Sequence, residues 1–207
     1  MQPFTYSMLS FLAIFSLCFQ FNFTNIFATS RFQLESKLHT NETDTDFIKA
    51  SCETTRYPDL CYKTLSPYAS TIETNAMELA NAALTVCLKS AKSTSKAVQE
   101  LLKGRDVSMR DGQAVADCLE NMSDYVDEIK KSMVEMKDLD GPDFKEKLGN
   151  LKTWVSAALT DEDTCMDGFQ EDSNVVKNVK IKETIRGYIV NLAELTSNAL
   201  ALITNIS

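Results

Sequence analysis

The segment that decides the fold is Val115-Ala116-Asp117-Cys118-Leu119-Glu120-Asn121-Met122-Ser123-Asp124-Tyr125-Val126-Asp127-Glu128-Ile129. Val115, Leu119, Met122, Val126 and Ile129 recur in alternating steps of four and three, and Met133 and Met136 continue the series. A half-buried strand alternates every second residue, whereas this period places the apolar side chains on one face of an α-helix. Asp117, Glu120, Asp124 and Asp127 step by three and four on the opposite face. One segment thus predicts a long amphipathic helix with an acidic stripe along its outer side.

Three other segments carry the same period. Met77, Ala80, Leu84, Cys87, Ala91, Thr94, Val98 and Leu101 form one seam. Phe144, Leu148, Leu151, Val155 and Ala158 form another, continuing in phase to Cys165 and Phe169. Ile185, Tyr188, Leu192, Leu195, Ala199, Leu202 and Ile206 form the last. Gly104-Arg105-Asp106 and Asp140-Gly141-Pro142 break the chain between helices, and Asp172-Ser173-Asn174 is expected to open the fourth. Short connections place long neighbours antiparallel, so the prediction is all-α: an up-down-up-down four-helix bundle over residues 75–206. Ahead of it, residues 47–70 are too short for a bundle member. Tyr57-Pro58-Asp59 divides them into the two arms of a small helical hairpin that Cys52 and Cys61 could staple.

Composition agrees. The 207 residues include only six Gly and four Pro, too few breakers for a sandwich or barrel of many short strands. With 29 Asp+Glu against 21 Lys+Arg the formal charge is −8, which argues against a nucleic-acid or anionic-membrane partner. The single His, His39, falls in a polar segment, so His-based triads and His-ligated zinc are excluded, and no catalytic residue, metal site or cofactor is predicted.

Residues 1–30 carry no charged side chain. Their apolar run, from Met8 to Phe19, is short for a membrane span, and Ala28-Thr29-Ser30 fits a signal-peptidase site. A cleaved signal peptide, and hence secretion, is expected, with an uncleaved anchor as the alternative. Residues 31–46 read as a mobile polar leader. Without Cys18 the mature chain keeps Cys52, Cys61, Cys87, Cys118 and Cys165, an odd number that implies two bridges and one free thiol in an oxidising compartment. By height in the bundle, Cys118 could meet either Cys165 or Cys87. Cys87 alone reads most simply as a small buried seam residue. Asn41, Asn121 and Asn205 begin glycosylation sequons; Asn121 is expected to be exposed beside the acidic stripe, where a sugar would obstruct docking. Trp154, beside the third seam, is expected to pack rather than bind a ligand.

The stretch Phe47-Ile48-Lys49-Ala50-Ser51-Cys52-Glu53-Thr54-Thr55-Arg56-Tyr57-Pro58-Asp59-Leu60-Cys61 closely resembles the opening of plant invertase and pectin methylesterase inhibitors. The resemblance continues through Asp117-Cys118-Leu119-Glu120, residues 155–160, Thr164-Cys165-Met166-Asp167-Gly168-Phe169 and residues 195–202. It implies a four-helix bundle with an N-terminal hairpin, bridges Cys52–Cys61 and Cys118–Cys165, a free Cys87, and an extracellular protein of the plant cell wall (the apoplast). Invertase inhibitors of this family carry Pro-Lys-Phe between the second and third bundle helices. Pro142-Asp143-Phe144 stands here instead, and its Asp would be repelled by a carboxylate-lined site. In the pectin methylesterase branch, positions matching Glu120, Asp124, Asp127, Thr164 and Asp167 face the enzyme. The resemblance therefore implies a non-covalent, one-to-one inhibitor of pectin methylesterase, with no small-molecule substrate. Inhibition of acid invertase, or a structural or processing module acting in trans on a pectin methylesterase, are the alternative functions.

Overall fold

The computed structural model describes residues 43–103, 107–139, 141–169, 176 and 178–206, and those from Asp44 onward belong to a single unit. The expected signal peptide, most of the expected polar leader and Asn41 lie outside the described residues. In chain order the helices are α1 (43–52), α2 (Pro58–Leu65), a 3-10 turn (Ser66–Tyr68), α3 (Ala69–Ile72), α4 (Ala76–Leu101), α5 (Met109–Lys137), α6 (Phe144–Asp167) and α7 (Val179–Thr204). The four long helices form the up-down-up-down bundle, in which α4 packs on α5 and α7, and α6 on α5 and α7. Among the described residues there is no strand, and no helix is long and apolar enough to cross a membrane.

Helix starts follow local chemistry. Asn75 caps α4 by accepting from the Met77 and Glu78 amides, at 2.9 and 3.3 Å. Ser108 accepts from the Asp111 amide at 3.1 Å to open α5. Asn178 accepts from the Ile181 amide at 3.2 Å, so α7 begins at Val179. The fourth long helix therefore opens after Asp172-Ser173-Asn174, because the capping side chain is the later Asn178. At the other end, α1 already runs from residue 43, inside the stretch whose polarity suggested a mobile leader.

The hairpin is fastened to the bundle at two places. Asn198 of α7 accepts from the Tyr57 amide at 3.0 Å and donates to the Tyr57 carbonyl at 2.9 Å, closing both polar groups of the turn before Pro58. Asn205 donates to Thr54 Oγ1 at 2.9 Å. Cys52 is bonded to Cys61 and joins the two arms, with Cα atoms 5.6 Å apart. Between hairpin and bundle, Glu73 and Thr74 take left-handed φ values of 46° and 58°, a reversal usually left to glycine.

Two seams differ from their predicted register. In α5 the buried face runs through Val115, Cys118, Met122, Tyr125, Ile129, Ser132 and Met136, while Leu119, Val126 and Met133 are half-buried at its edge. In α7, Ile189 is fully buried and Tyr188 is 41% exposed. The α6 seam continues through Glu162, which is 1% exposed, between Ala158 and Cys165.

These shifts share one cause. Cys87 of α4, Tyr125 of α5, Glu162 of α6 and Thr196 of α7 form a polar layer to which each bundle helix contributes one side chain. Thr196 Oγ1 lies 2.8 Å from each of Tyr125 Oη, Glu162 Oε1 and the Leu192 carbonyl. Burial raises the Glu162 carboxyl to about 9, so it is a neutral acid at neutral pH. A protonated Glu162 can donate to Thr196 while Thr196 donates to Leu192, which satisfies both contacts with the hydrogens available. Glu162 Oε2 keeps no partner. Burial likewise pushes the Cys87 thiol up to about 12, making this free cysteine unreactive.

Candidate functional site

The bond between Cys118 and Cys165 joins the first half of α5 to the end of α6, with Cα atoms 4.4 Å apart. A groove of about 400 Å³ lies over it, with Asp117 and Asn121 on the α5 side and Thr164 and Asp167 on the α6 side. Arg110 closes one end of the groove. Thr164 donates to the Thr160 carbonyl at 2.8 Å, which leaves its hydroxyl oxygen able to accept from a partner. Asp117 accepts from Gln113 at 2.8 Å.

The acidic stripe divides in three dimensions. Asp117, Glu120, Asp124 and Asp127 are all exposed, but only Asp117 lines the groove. Asp124 belongs with Glu128 of α5 and Asp161 of α6, two carboxylates that sequence patterning did not single out. Burial first, and then Asp124 and Glu128, raise the Asp161 carboxyl to about 6. Lys131 offsets the crowding: it donates to Glu128 at 3.1 Å, and its ammonium stands 4.5 Å from the centroid of the Trp154 ring. Trp154 is thus half-buried and ties α6 to α5 through a cation–π contact. Asp127 accepts from Lys130 at 2.8 Å, and that hydrogen bond holds its carboxyl below the ordinary aspartate range.

Asp161, Thr164 and Asp167 follow one another at steps of three, a pattern that places them on one side of α6 and was available in the sequence. What the pattern lacks is the proximity of Asp161 to Asp124 and Glu128, which exists only once α5 and α6 are packed. Asn121 corrects the expectation of exposure. It is half-buried in the groove, and its amide donates to the Asp117 carbonyl at 3.1 Å, because one turn of helix places that acceptor beneath it. Asp143, which stands where invertase inhibitors carry Lys, is exposed just before α6.

The arrangement suits docking rather than chemistry. Carboxylates and a hydroxyl sit on two helices cross-linked by the Cys118–Cys165 bond beneath them, so their spacing is fixed before any partner arrives, which lowers the ordering cost of binding. Among the described residues no group of three or more His, Cys, Asp or Glu is arranged to hold a metal ion.

Comparison with known proteins places this geometry. Pectinesterase inhibitor 10 of Arabidopsis thaliana is 44% identical over 171 residues, covering 81% of this chain and 53% of its own length, so the chain spans about half of that relative. The 21 kDa protein of Daucus carota is 45% identical over 162 residues, covering 77% of this chain and 82% of its own. A crystal structure of a mutant form of a pectin methylesterase inhibitor from Arabidopsis shares the fold, with a TM-score of 0.59 at 20% identity over 75% of this chain and 94% of that one. The plant invertase/pectin methylesterase inhibitor family matches residues 46–202, and the chain belongs to it.

Proposed function

We propose that this chain is a secreted inhibitor of pectin methylesterase that covers the enzyme's substrate cleft with the α5–α6 face, one bundle per enzyme, without covalent chemistry. The observation that carries the reading is the joining of Asp117, Thr164 and Asp167 around one groove over the Cys118–Cys165 bridge. Glu120, Asp124 and Asp127 extend the same acidic surface along α5. A cleft that binds an acidic polyuronide presents basic groups, and carboxylates at fixed spacing can meet them in the substrate's place. Their main contribution is orientation and association rate. Relatives named pectinesterase inhibitors support this target, and Asp143 argues against the carboxylate-lined site of an acid invertase.

The uncharged residues 1–30 support export to the apoplast and cell wall. Of the three sequons, Asn121 matters most to function, because a sugar there would fill the docking groove. Peptide mapping of the secreted protein is expected to find Asn121 unmodified in the inhibitory form. The deciding experiment titrates purified protein against pectin methylesterase and acid invertase in parallel. Inhibition of the esterase is expected, and inhibition of invertase alone overturns the assignment.

A further inference from the structure

The outward face of α4 reverses the charge of the rest of the protein. Between Glu78 and Glu100 the sequence contains no Asp or Glu, although the chain holds 29 of them. Within that interval Lys89, Lys92 and Lys96 step by three and four, and all three are exposed along one side of the helix. They span about 10 Å of helix axis. Three lysines elsewhere pair with a carboxylate three residues away: Lys103 with Glu100, Lys130 with Asp127 and Lys131 with Glu128. Lys92 has no carboxylate within four residues in sequence; Lys96 has Glu100 four residues on, but that carboxylate is paired with Lys103, and among the described residues neither Lys92 nor Lys96 forms an ion pair.

A shallow groove flanks the row on each side. Between the hairpin and α4, Lys63, Pro67, Tyr68, Lys89 and Ser93 line a depression of about 580 Å³. Lys89 donates to the Tyr68 hydroxyl at 3.0 Å, with its ammonium 5.2 Å from the ring centroid. Between α4 and α5, Lys92, Ser95, Lys96 and Gln99 line a depression of about 360 Å³. The surface therefore combines spaced cations, hydroxyl and amide groups, and one partly exposed aromatic ring.

We propose that this face binds an unesterified polyuronide, an acidic polysaccharide with a carboxylate on every sugar. Ammonium groups on a helical rail meet successive carboxylates, Ser93, Ser95 and Gln99 can hydrogen-bond sugar hydroxyls, and Tyr68 offers an edge for a sugar ring. Lysine alone supplies the charge here. The arginine forks that would favour phosphates, as in nucleic acid, are absent from this row. The large apolar side chains beside it, Leu119, Met122 and Val126 on the floor of the α4–α5 depression, are buried or half-buried, so none projects far enough to sink into a bilayer. The choice of polyuronide among polyanions rests on the proposed inhibition of pectin methylesterase, because each methyl ester that enzyme hydrolyses leaves a carboxylate. The docking groove lies between α5 and α6, whereas the lysine row lies on α4, so the polymer's carboxylates would meet cations that the docking groove does not use. The inhibitor would then gather where de-esterified polymer has accumulated.

Affinity electrophoresis of the whole protein, in gels containing polygalacturonate or fully methyl-esterified pectin, tests the idea. Retardation by polygalacturonate alone is expected, decreasing as salt is raised. K92Q/K96Q and K63Q/K89Q should each weaken it roughly fivefold per lysine replaced, with unchanged melting because the side chains are exposed. No retardation of the wild type, equal retardation by both polymers, or retardation that survives all four substitutions would overturn the proposal. So would capture by anionic phospholipid vesicles without binding to polygalacturonate. Esterase inhibition is measured separately on a small soluble ester. Its loss with polymer binding intact refutes the inhibitor assignment and leaves the binding surface standing.

Discussion

Glu162 and Asp127 carry the same functional group on neighbouring helices and end in opposite states. Glu162 sits in the four-helix polar layer with its carboxyl raised to about 9 by burial. Asp127 stands on the outside of α5, where Lys130 holds its carboxyl low. In the bundle interior a carboxyl persists by losing its charge; on the surface it keeps the charge and can offer it to a partner. The difference teaches that the acidic character of the sequence is two properties. One part fixes how four helices meet, and the other part is available for recognition.

The bridge that connects these two regions is the largest lever. The Cys118–Cys165 bond spans a sequence separation of 47 residues and fixes the outer face of α5–α6 over the polar layer. Replacing both cysteines by Ala should cost about 4 kcal/mol in urea unfolding, through the chain entropy restored to the unfolded state. The same change at Cys52 and Cys61, separated by 9 residues, should cost about 2–3 kcal/mol. A larger cost for the hairpin bridge would show that the Asn198–Tyr57 clasp depends on it.

Glu162 supplies the next effect, and its sign is specific. Its folded value lies above the ordinary glutamate value of 4.5, so its contribution is complete below that pH and is lost as pH rises toward about 9. Stability should fall by up to roughly 3 kcal/mol between about pH 5 and pH 7, at most about 1.4 kcal/mol per unit. Surface carboxylates such as Asp127 and Glu100, whose values are lowered, act in the opposite sense at lower pH. E162Q keeps the shape and a hydrogen-bond donor without the titration. It should unfold near the wild-type denaturant midpoint at about pH 5 and above it at about pH 8. Parallel pH profiles for the two proteins would refute a neutral Glu162.

The exposed side of the comparison is probed by D124N/D127N. Both side chains are exposed and lie outside the core, so the urea midpoint should stay where it is. Inhibition of pectin methylesterase should weaken about tenfold, mostly through slower association at low salt. Wild-type inhibition across pH and salt would remove the acidic stripe from the interface.

The two regions were unequally legible in the sequence. The number and order of the long helices and the places of the turns between them follow from apolar periodicity, because four seams of three or four heptads leave little else to build, whereas the short α3 carries no such period. The polar layer escapes that reading. Glu162 occupies the in-phase position between Ala158 and Cys165, yet hydrophobicity skips an acid there; Tyr125 and Thr196 are passed over because their chain neighbours Val126 and Leu195 are apolar and also fit steps of three and four. Three polar groups belong in a core only because they meet one another across different helices, and no single helix carries that information. The α7 start moved for a local reason, since Asn178 and Asp172-Ser173-Asn174 offer equivalent capping chemistry. On the outer face the stripe on α5 was legible, but the closeness of Asp161 to Asp124 and Glu128 was not.

Asp161 lies between the two extremes and gives the smallest and most selective test. Its carboxyl, raised to about 6 by partial burial and by Asp124 and Glu128, gains its charge as pH climbs through that value. Glu162 remains neutral over the same range and Asp127 remains charged, so Asp161 is the group on the proposed interface whose state changes there. Esterases also titrate, which makes a single pH profile ambiguous. The ratio of wild-type to D161N association rates against the same enzyme cancels that contribution. It should be near one at about pH 5, where both side chains are neutral, and about twofold at pH 7, where only the wild type adds a charge that steers docking. A ratio that stays flat from pH 5 to 7 would place Asp161 outside the docking field. The carboxylates that recognise the enzyme would then be confined to the fully exposed line of α5.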